Sequence, residues 1–236
     1  DDGTEAEVRK LGPIEIVPTV WDENLRKGGL ILSQQTNIAL SALRKSVPKG
    51  SWGVYLQGDE VLLESDYARI REDIARADRE GYDAVSFRYL HFWQDSLQIA
   101  IGKRWYPQEI RAIKLDSPIE SYGDAQSFKG ATRILQSDAW IYHIGHVREA
   151  DKYERKLNDF HRWWHSDEEM KKKTAESKVK DAKEECVDFF GPFPVCLRER
   201  MEKSRGSDIL KLPKPARVGL LGSPRDEFDR ALPSLI

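Results

Sequence analysis

The sequence contains little of what marks secreted, membrane-spanning or nucleic-acid-binding chains. Only two cysteines, Cys186 and Cys196, occur among 236 residues, and they form no CxxC pair. Such sparse cysteine usage is typical of a reducing compartment, so we expect ordinary thiols and a cytoplasmic location. No apolar run is long enough to span a bilayer, which predicts no transmembrane segment in this chain. The 38 basic and 40 acidic residues nearly cancel, so no global basic field indicates a nucleic-acid partner.

The apolar residues that are present follow the periodicities of strands and helices. Residues 14–20, IEIVPTV, alternate and are β-branched, which predicts a first strand that ends near a proline. Helical spacing follows over 30–44 and again over 66–80, with Asp66 as the expected N-cap and Gly81 as the expected end of the second helix. Further strands are predicted at VYL (54–56), AVSFRYL (84–90), EIRAIKL (109–115) and AWIYHI (139–144). This order predicts an α/β fold, with a sheet that begins parallel, becomes mixed and is flanked by helices.

The C-terminal third has a different composition. Residues 148–165 carry an apolar stripe and predict a helix, whereas 167–185 are almost entirely polar and predict a solvated helix. The tail from Gly206 contains four prolines and little periodicity, which is typical of an extended segment. We therefore expect a domain over 1–165, followed over 166–236 by a charged helix and an extended tail.

Two adjacent carboxylates interrupt the apolar run WGVYLQGDEVLL. Asp59 and Glu60 follow the VYL strand, and Gly58 before them lets a ligand approach the backbone closely. A buried carboxylate needs a partner, and a divalent cation that shares its shell with substrate phosphates would supply one. The alternative is a strand end that turns into solvent, with both acids capping the next turn.

Four of the five histidines lie in one region, and they leave two interpretations open. His143, His146, His161 and His165 could form a metal site, for instance for zinc. Alternatively, the last two simply flank the packing surface of two neighbouring tryptophans. His91, in RYLHFWQD, is typical of a satisfied core or pocket-wall histidine.

Two further clusters could carry chemistry. KRWYPQEIR places Lys103, Arg104 and Arg111 around Glu109 and two aromatic residues, either to grip phosphates or as a charged strand entry. SYGDAQSF presents Asp124 in a loop, where it could act as a general base or form a turn.

Taken together, these motifs resemble a known family. DDGT, GLILSQQTNIAL and WGVYLQGDEVL are similar to successive motifs of family 2 glycosyltransferases of the GT-A fold. HFWQ, KRWYPQEIR, SYGDAQSF, IYHIGHVRE and FHRWWHSDEE resemble a bacterial subgroup of these enzymes. The resemblance covers about residues 1–165. It implies a GT-A-like fold, a nucleotide-sugar donor, a divalent metal (Mn²⁺ or Mg²⁺), and transfer of the sugar to a hydroxyl of a carbohydrate or other acceptor with inversion.

The resemblance implies two metal ligands. Asp59 matches the last Asp of the family's DxD motif, which holds the metal on the donor diphosphate. Gln57 stands where the first Asp would be, so it could still hydrogen-bond a ribose hydroxyl but would bring no charge. His143 is similar in placement to a late histidine that binds the metal in many GT-A enzymes.

The resemblance also implies residues that contact the substrates. Asp2 matches the turn beside the nucleotide, and Asn37 lies in the matching helical stretch on the donor side. Arg104 and Arg111 would assist the leaving diphosphate. Asp124 is the candidate base that deprotonates the acceptor.

Three alternatives to a complete transferase remain open at this point. The first strand, helix and second strand of the family have no counterpart ahead of Asp1. Either the sequence is a fragment, which predicts weak or no donor binding by this polypeptide alone, or other residues take the place of these elements. With Gln57 in the motif, the chain could instead be a carbohydrate-binding or scaffolding homologue without catalysis. The third alternative is a metal-dependent hydrolase that uses the histidine-rich region.

Overall fold

The structure is a computed structural model, and it describes residues 3–93, 98–147 and 185–199. Asp2, the helix expected over 148–165, most of the charged segment and the proline-containing tail lie outside the described residues. The division into two parts at residue 165 therefore stays a prediction.

Three α-helices have defined bounds: α1, Thr4–Arg9; α2, Leu30–Ser46; and α3, Tyr67–Glu80. Single turns of 3₁₀ helix occur at Glu23–Leu25, Lys27–Gly29 and Glu64–Asp66. Among the residues described, no helix has the length and apolar character needed to cross a bilayer.

The second long helix begins and ends as the sequence predicts, with Asp66 at the N-cap position. Gly81 adopts φ 74° at the C-terminus of α3, and the Tyr82 N–H returns to the Ala77 carbonyl at 2.8 Å. Asp66 occupies the predicted N-cap position, but its side chain makes no capping bond to the helix. The Asp66 carboxylate is buried and instead accepts the backbone N–H of Trp140 at 3.3 Å, which ties the start of α3 to the sheet.

Nine strands are defined in the described ranges: β1, Trp52–Val54; β2, Glu60–Leu62; β3, Ala84–Trp93; β4, Gln98–Ala100; β5, Gln108–Lys114; β6, Glu120–Tyr122; β7, Ser127–Lys129; β8, Ile134–His146; and β9, Cys186–Asp188. The strands β6 and β7 form a separate hairpin, and the other seven form one sheet.

The large sheet is mixed, as expected, but it is mostly antiparallel. β3 pairs in parallel with β8, while β5 and β4 pair with β3 in the antiparallel sense. β1 on β5, β2 on β8 and β9 on β4 are also antiparallel. The expectation of a sheet that begins parallel is therefore wrong, because the first strands of the chain pair with later strands that run the other way.

The strand expected at 14–20 does not form. Residues 14–20 have no regular secondary structure and pair with no strand in the described part of the chain. Ile14, Val17 and Val20 are exposed, the last at 93%, and Ile16 is half-buried. Alternation stabilises a strand only when one face packs on a core, and most of these side chains are exposed.

Two helices pack on different parts of the core. Ile70 and Ala77 of α3 share a cluster with alternate residues of β3, namely Val85, Phe87 and Tyr89. α2 contributes Leu40 to a second cluster with residues of β5 and of the β6–β7 hairpin. These helices fix the sheet from which the candidate site projects.

Candidate functional site

Strand register places three polar residues side by side across the sheet. Glu60 of β2 lies opposite His143 of β8, and His143 lies opposite His91 of β3. All three residues are buried. Because buried polar groups need partners, the contacts of this row determine what the site can do.

Glu60 turns into the protein and pairs with Arg111. The two side chains are fully buried, and Arg111 Nη2 and Nε donate to the two carboxylate oxygens at 2.8 and 3.0 Å. The Tyr89 hydroxyl and the Gln57 N–H add donors at 2.8 and 3.1 Å. Four donors thus satisfy the Glu60 carboxylate, so this acid has the partners that a buried carboxylate needs.

A β-bulge aims Arg111 at this carboxylate. Val85 pairs with Ala112 and Ser86 with Ile110, so Arg111 is the extra residue of β5. Its Nη1 donates to the carbonyls of Ile110 and Gln126, at 2.9 and 2.7 Å.

Charge is well compensated inside this cluster. Burial alone would lower the pKa of Arg111, but the hydrogen bonds with Glu60 and the charge interactions with Glu60, Tyr89 and Tyr106 together outweigh it, and the pKa is raised. Burial also raises the pKa of the Tyr89 hydroxyl, so it remains a proton donor to Glu60. With Arg111 turned wholly inward, its predicted contact with a donor phosphate would require this pair to open, and that role stays a prediction.

Asp59 turns the other way, toward His143. The Asp59 Oδ2 atom lies 3.8 Å from His143 Nε2, with 27% of the Asp59 side chain and 9% of the His143 side chain exposed. The Asp59 carbonyl accepts the N–H of Ile144 at 2.9 Å, which fixes the loop to β8. The two residues predicted as metal ligands therefore lie together at a partly open position.

His143 also contacts the second buried histidine. Its Nδ1 lies 3.1 Å from His91 Nδ1, and His91 Nε2 lies 2.8 Å from the Tyr106 carbonyl. The rings of Tyr89, Tyr106 and Trp105 surround His91, with centroids 4.5 to 5.2 Å away. Burial, reinforced by His143, lowers the pKa of His91 to about 3, so this ring is neutral near pH 7.

Gln57 joins this loop to the turn that carries Asp124. Its side-chain amide donates to the Ala125 carbonyl at 3.1 Å. Asp124 Oδ1 accepts the Gln126 N–H at 3.3 Å, and Ala125 adopts φ 64° in the same turn. A Cβ at Gly29 would lie 2.9 Å from the Asp124 Cβ, so the N-terminus of α2 packs closely on this turn. The loop with Gln57 and the turn with the predicted base, Asp124, are thus neighbours.

Arg104 lies over an aromatic cluster that we define as Trp93, Trp105 and His146. Its guanidinium carbon is 5.0 Å from the Trp93 ring and 4.8 Å from the Trp105 ring. The His146 ring contacts both tryptophans and lies 5.3 Å from the His143 ring. Arg104 is exposed and therefore remains a candidate for a phosphate contact next to the Asp59–His143 pair.

The other predicted residues do not join this group. The Asn37 side chain exchanges two hydrogen bonds with the backbone of Ser121, at 2.9 and 2.8 Å, and thereby fastens α2 to β6. Its donor-side role stays a prediction, as does that of Asp2. His161 and His165 lie outside the described residues, and within those residues no group of three or more His, Cys, Asp or Glu side chains could hold a metal.

The sequence does not indicate the partners of Glu60 and Tyr89, whereas His91 is buried and hydrogen-bonded, as expected. Each lies in an apolar run whose pattern predicts only a strand, and their meeting depends on the register of three strands. The one local signal was the presence of a charged residue, Glu60, in an apolar stretch, which implies a buried partner. Nothing near it in the sequence indicates that this partner is Arg111, 51 residues away.

A scan against protein-family models found no match, and a search of curated proteins also returned none.

Proposed function

We propose that this chain acts as a metal-dependent glycosyltransferase, which moves a sugar from a nucleotide-sugar donor to an acceptor hydroxyl. The observation that carries the proposal is the approach of Asp59 Oδ2 and His143 Nε2 to 3.8 Å at a partly exposed position. The motif resemblance assigns these same two residues to the metal.

The donor set fits a divalent cation of the Mn²⁺ or Mg²⁺ type. A carboxylate oxygen suits both ions, whereas an imidazole nitrogen is the better ligand for Mn²⁺. Either ion takes its remaining ligands from phosphate oxygens and water. Two cis ligands of an octahedral ion lie about 3 Å apart, so the observed separation needs only a small side-chain adjustment. The bound ion would neutralise negative charge on the leaving diphosphate.

The remaining residues of the site would provide binding and proton transfer. Asp124 would take the proton of the acceptor hydroxyl while that oxygen bonds to the anomeric carbon of the sugar. The bond from this carbon to the diphosphate would break with its electron pair leaving on the phosphate oxygen. Arg104 would attract the diphosphate, and the aromatic cluster below it would offer ring faces to a sugar.

The buried cluster around Glu60 supports the proposed transferase function indirectly. The Glu60–Arg111 pair holds the loop after β1 through the Gln57 N–H, and Arg111 holds the following turn through the Gln126 carbonyl. The loop with Asp59 and the turn with Asp124 are therefore both braced by one fully buried ion pair. Such preorganisation is what a transfer site requires.

Gln57 favours a second candidate, a carbohydrate-binding homologue that does not transfer. Its amide donates to the Ala125 carbonyl, so it fastens the loop and adds no charge for a cation. This candidate predicts sugar binding that needs no metal and releases no nucleoside diphosphate.

A donor screen separates these candidates. The full chain is heated with millimolar UDP-, GDP-, CMP- or dTDP-sugars, with and without Mn²⁺, and the midpoint of unfolding is measured. We expect one donor to raise the midpoint only with Mn²⁺, and we expect Asp59→Asn to abolish that rise. Asp138→Asn is the matched control, because Asp138 is an exposed carboxylate in ion pairs with Arg88 and Arg69. A rise that survives Asp59→Asn, or a screen without any Mn²⁺-dependent donor, would contradict the proposal.

Nucleotide release distinguishes transfer from binding. For the donor found, formation of free nucleoside diphosphate is followed with a panel of sugar acceptors. Release that requires both acceptor and Asp124 supports the transferase, whereas sugar binding without release supports the second candidate.

A further inference from the structure

We propose that His91 is a positioning residue that holds His143 in the tautomer with its proton on Nδ1, so that the Nε2 lone pair faces Asp59. The tautomer itself follows from hydrogen-bond geometry together with the burial of the two histidine residues. Only its consequence for a bound cation rests on the function proposed above.

The assignment starts at the Tyr106 carbonyl. A carbonyl oxygen accepts hydrogen bonds and cannot donate them. His91 Nε2, 2.8 Å from this oxygen, must therefore carry a proton. The neutral ring of His91 then has its lone pair on Nδ1.

The second step transfers this constraint to His143. The two Nδ1 atoms are 3.1 Å apart, and only one of them can supply the proton between them. Since Nδ1 of neutral His91 accepts, Nδ1 of His143 must donate. A doubly protonated His91 would reverse the direction, but this ring is 2% exposed and enclosed by aromatic rings, where a charge is poorly solvated.

The third step reaches Asp59. With its proton on Nδ1, His143 presents the lone pair of Nε2 toward the Asp59 carboxylate at 3.8 Å. The Nε2 lone pair and the Asp59 carboxylate oxygen can then both donate electrons to one cation that lies between them. The opposite tautomer, which free histidine favours, would place an N–H against the carboxylate and remove one ligand.

His91 would therefore decide whether Asp59 and His143 form a hydrogen bond or a cation site. Residues that orient a metal-binding histidine in this way commonly affect metal affinity by about 10–100-fold. His91 itself does not contact the ion in this scheme.

The direct test is the tautomer of His143 in the metal-free protein. The full chain is labelled with ¹⁵N-histidine, and long-range ¹H–¹⁵N correlations identify the protonated nitrogen of each ring near neutral pH. We expect a protonated Nδ1 and an unprotonated Nε2 on His143. A His143 protonated on Nε2 would overturn the proposal without reference to any function.

Two substitutions provide matched comparisons. His91→Asn keeps an acceptor oxygen near the position of Nδ1, so we expect His143 to retain its tautomer. His91→Phe keeps a ring but removes the acceptor, so we expect the Nε2 proton to dominate. An unchanged tautomer in His91→Phe would refute the positioning role, and should that variant fail to fold, the native and His91→Asn spectra still decide.

Mn²⁺ affinity distinguishes failure of this inference from failure of the proposed function. Binding of Mn²⁺ with inorganic pyrophosphate is measured by electron paramagnetic resonance. We expect His91→Phe to weaken binding by at least about tenfold and His91→Asn by less than about threefold. The expected tautomer without any Mn²⁺ binding would count against the proposed function alone, whereas equal affinities in the two variants would overturn the role of His91.

Discussion

Substitution of Glu60 by Gln should destabilise this protein more than any change on its surface. The Glu60 carboxylate and the Arg111 guanidinium are both fully buried, and four donors converge on the carboxylate. Glutamine keeps the shape but removes the charge, and its NH₂ group opposes one of the donors. The guanidinium would then remain buried without a counter-charge.

The expected magnitude follows from this burial. Removing one partner of a buried ion pair costs about 3–5 kcal/mol. This is a large part of the free energy of unfolding of a whole domain, which is typically about 5–15 kcal/mol. With an m-value of about 2 kcal/mol/M, the urea midpoint should fall by about 2 M. Far-UV circular dichroism of the full chain in increasing urea measures this shift.

An exposed pair provides the control. Glu120 pairs with Lys129 at 3.1 Å, with more than half of each side chain exposed. Glu120→Gln should change the free energy of unfolding by less than about 0.5 kcal/mol. A double-mutant cycle with Glu60→Leu and Arg111→Met should show a coupling energy of about 2–3 kcal/mol. A loss below about 1 kcal/mol for Glu60→Gln would refute the account of this cluster.

Three further predictions address the loop, the turn and the buried histidine. Gly58→Ala should leave the urea midpoint nearly unchanged, because no atom lies within 4 Å of the added Cβ. It should weaken Mn²⁺–pyrophosphate binding if the ligand lies against this backbone. Gly29→Ala should cost about 2 kcal/mol, because φ is +73° and the new Cβ would lie 2.9 Å from the Asp124 Cβ. Acid should weaken the fold through His91, whose pKa falls from 6.5 unfolded to about 3 folded. The contribution of neutral His91 to the free energy of unfolding is complete above pH 6.5. It declines by about 1.4 kcal/mol per pH unit as the pH falls from 6.5 toward about 3.

Each of these predictions can fail in a distinct way. Undiminished Mn²⁺–pyrophosphate binding by Gly58→Ala would place the ligand away from this backbone. A stable Gly29→Ala protein would mean that the turn can move aside at little cost. For His91, the unfolding free energy at pH 7 and pH 5 is compared between the native chain and His91→Asn. Equal losses in both proteins would show that another group carries the acid sensitivity.

The sequence predicts those elements whose stability is local. Helix α3 has an apolar stripe and a glycine at its end, and both features act within a few residues of chain. The strand expected at 14–20 fails because alternation alone provides no partner strand. Asp66 occupies the N-cap position as predicted, but its carboxylate accepts the distant backbone N–H of Trp140 and makes no capping bond.

The candidate site was only partly predictable for the same reason. The motifs indicate Asp59 and His143 separately, yet their approach depends on the pairing of β2 with β8. The inward turn of Arg111 depends on a bulge between β3 and β5, which leaves no signal in the apolar pattern. Register and bulges arise from the whole sheet, so local sequence cannot specify them.

The most direct test of the central claim is anomalous diffraction from crystals of the full chain grown with Mn²⁺ and pyrophosphate. We predict one Mn²⁺ ion bonded to Asp59 Oδ2, His143 Nε2 and pyrophosphate oxygens. Mn²⁺ bound elsewhere, with Asp59 and His143 in direct contact only with each other, would contradict the account.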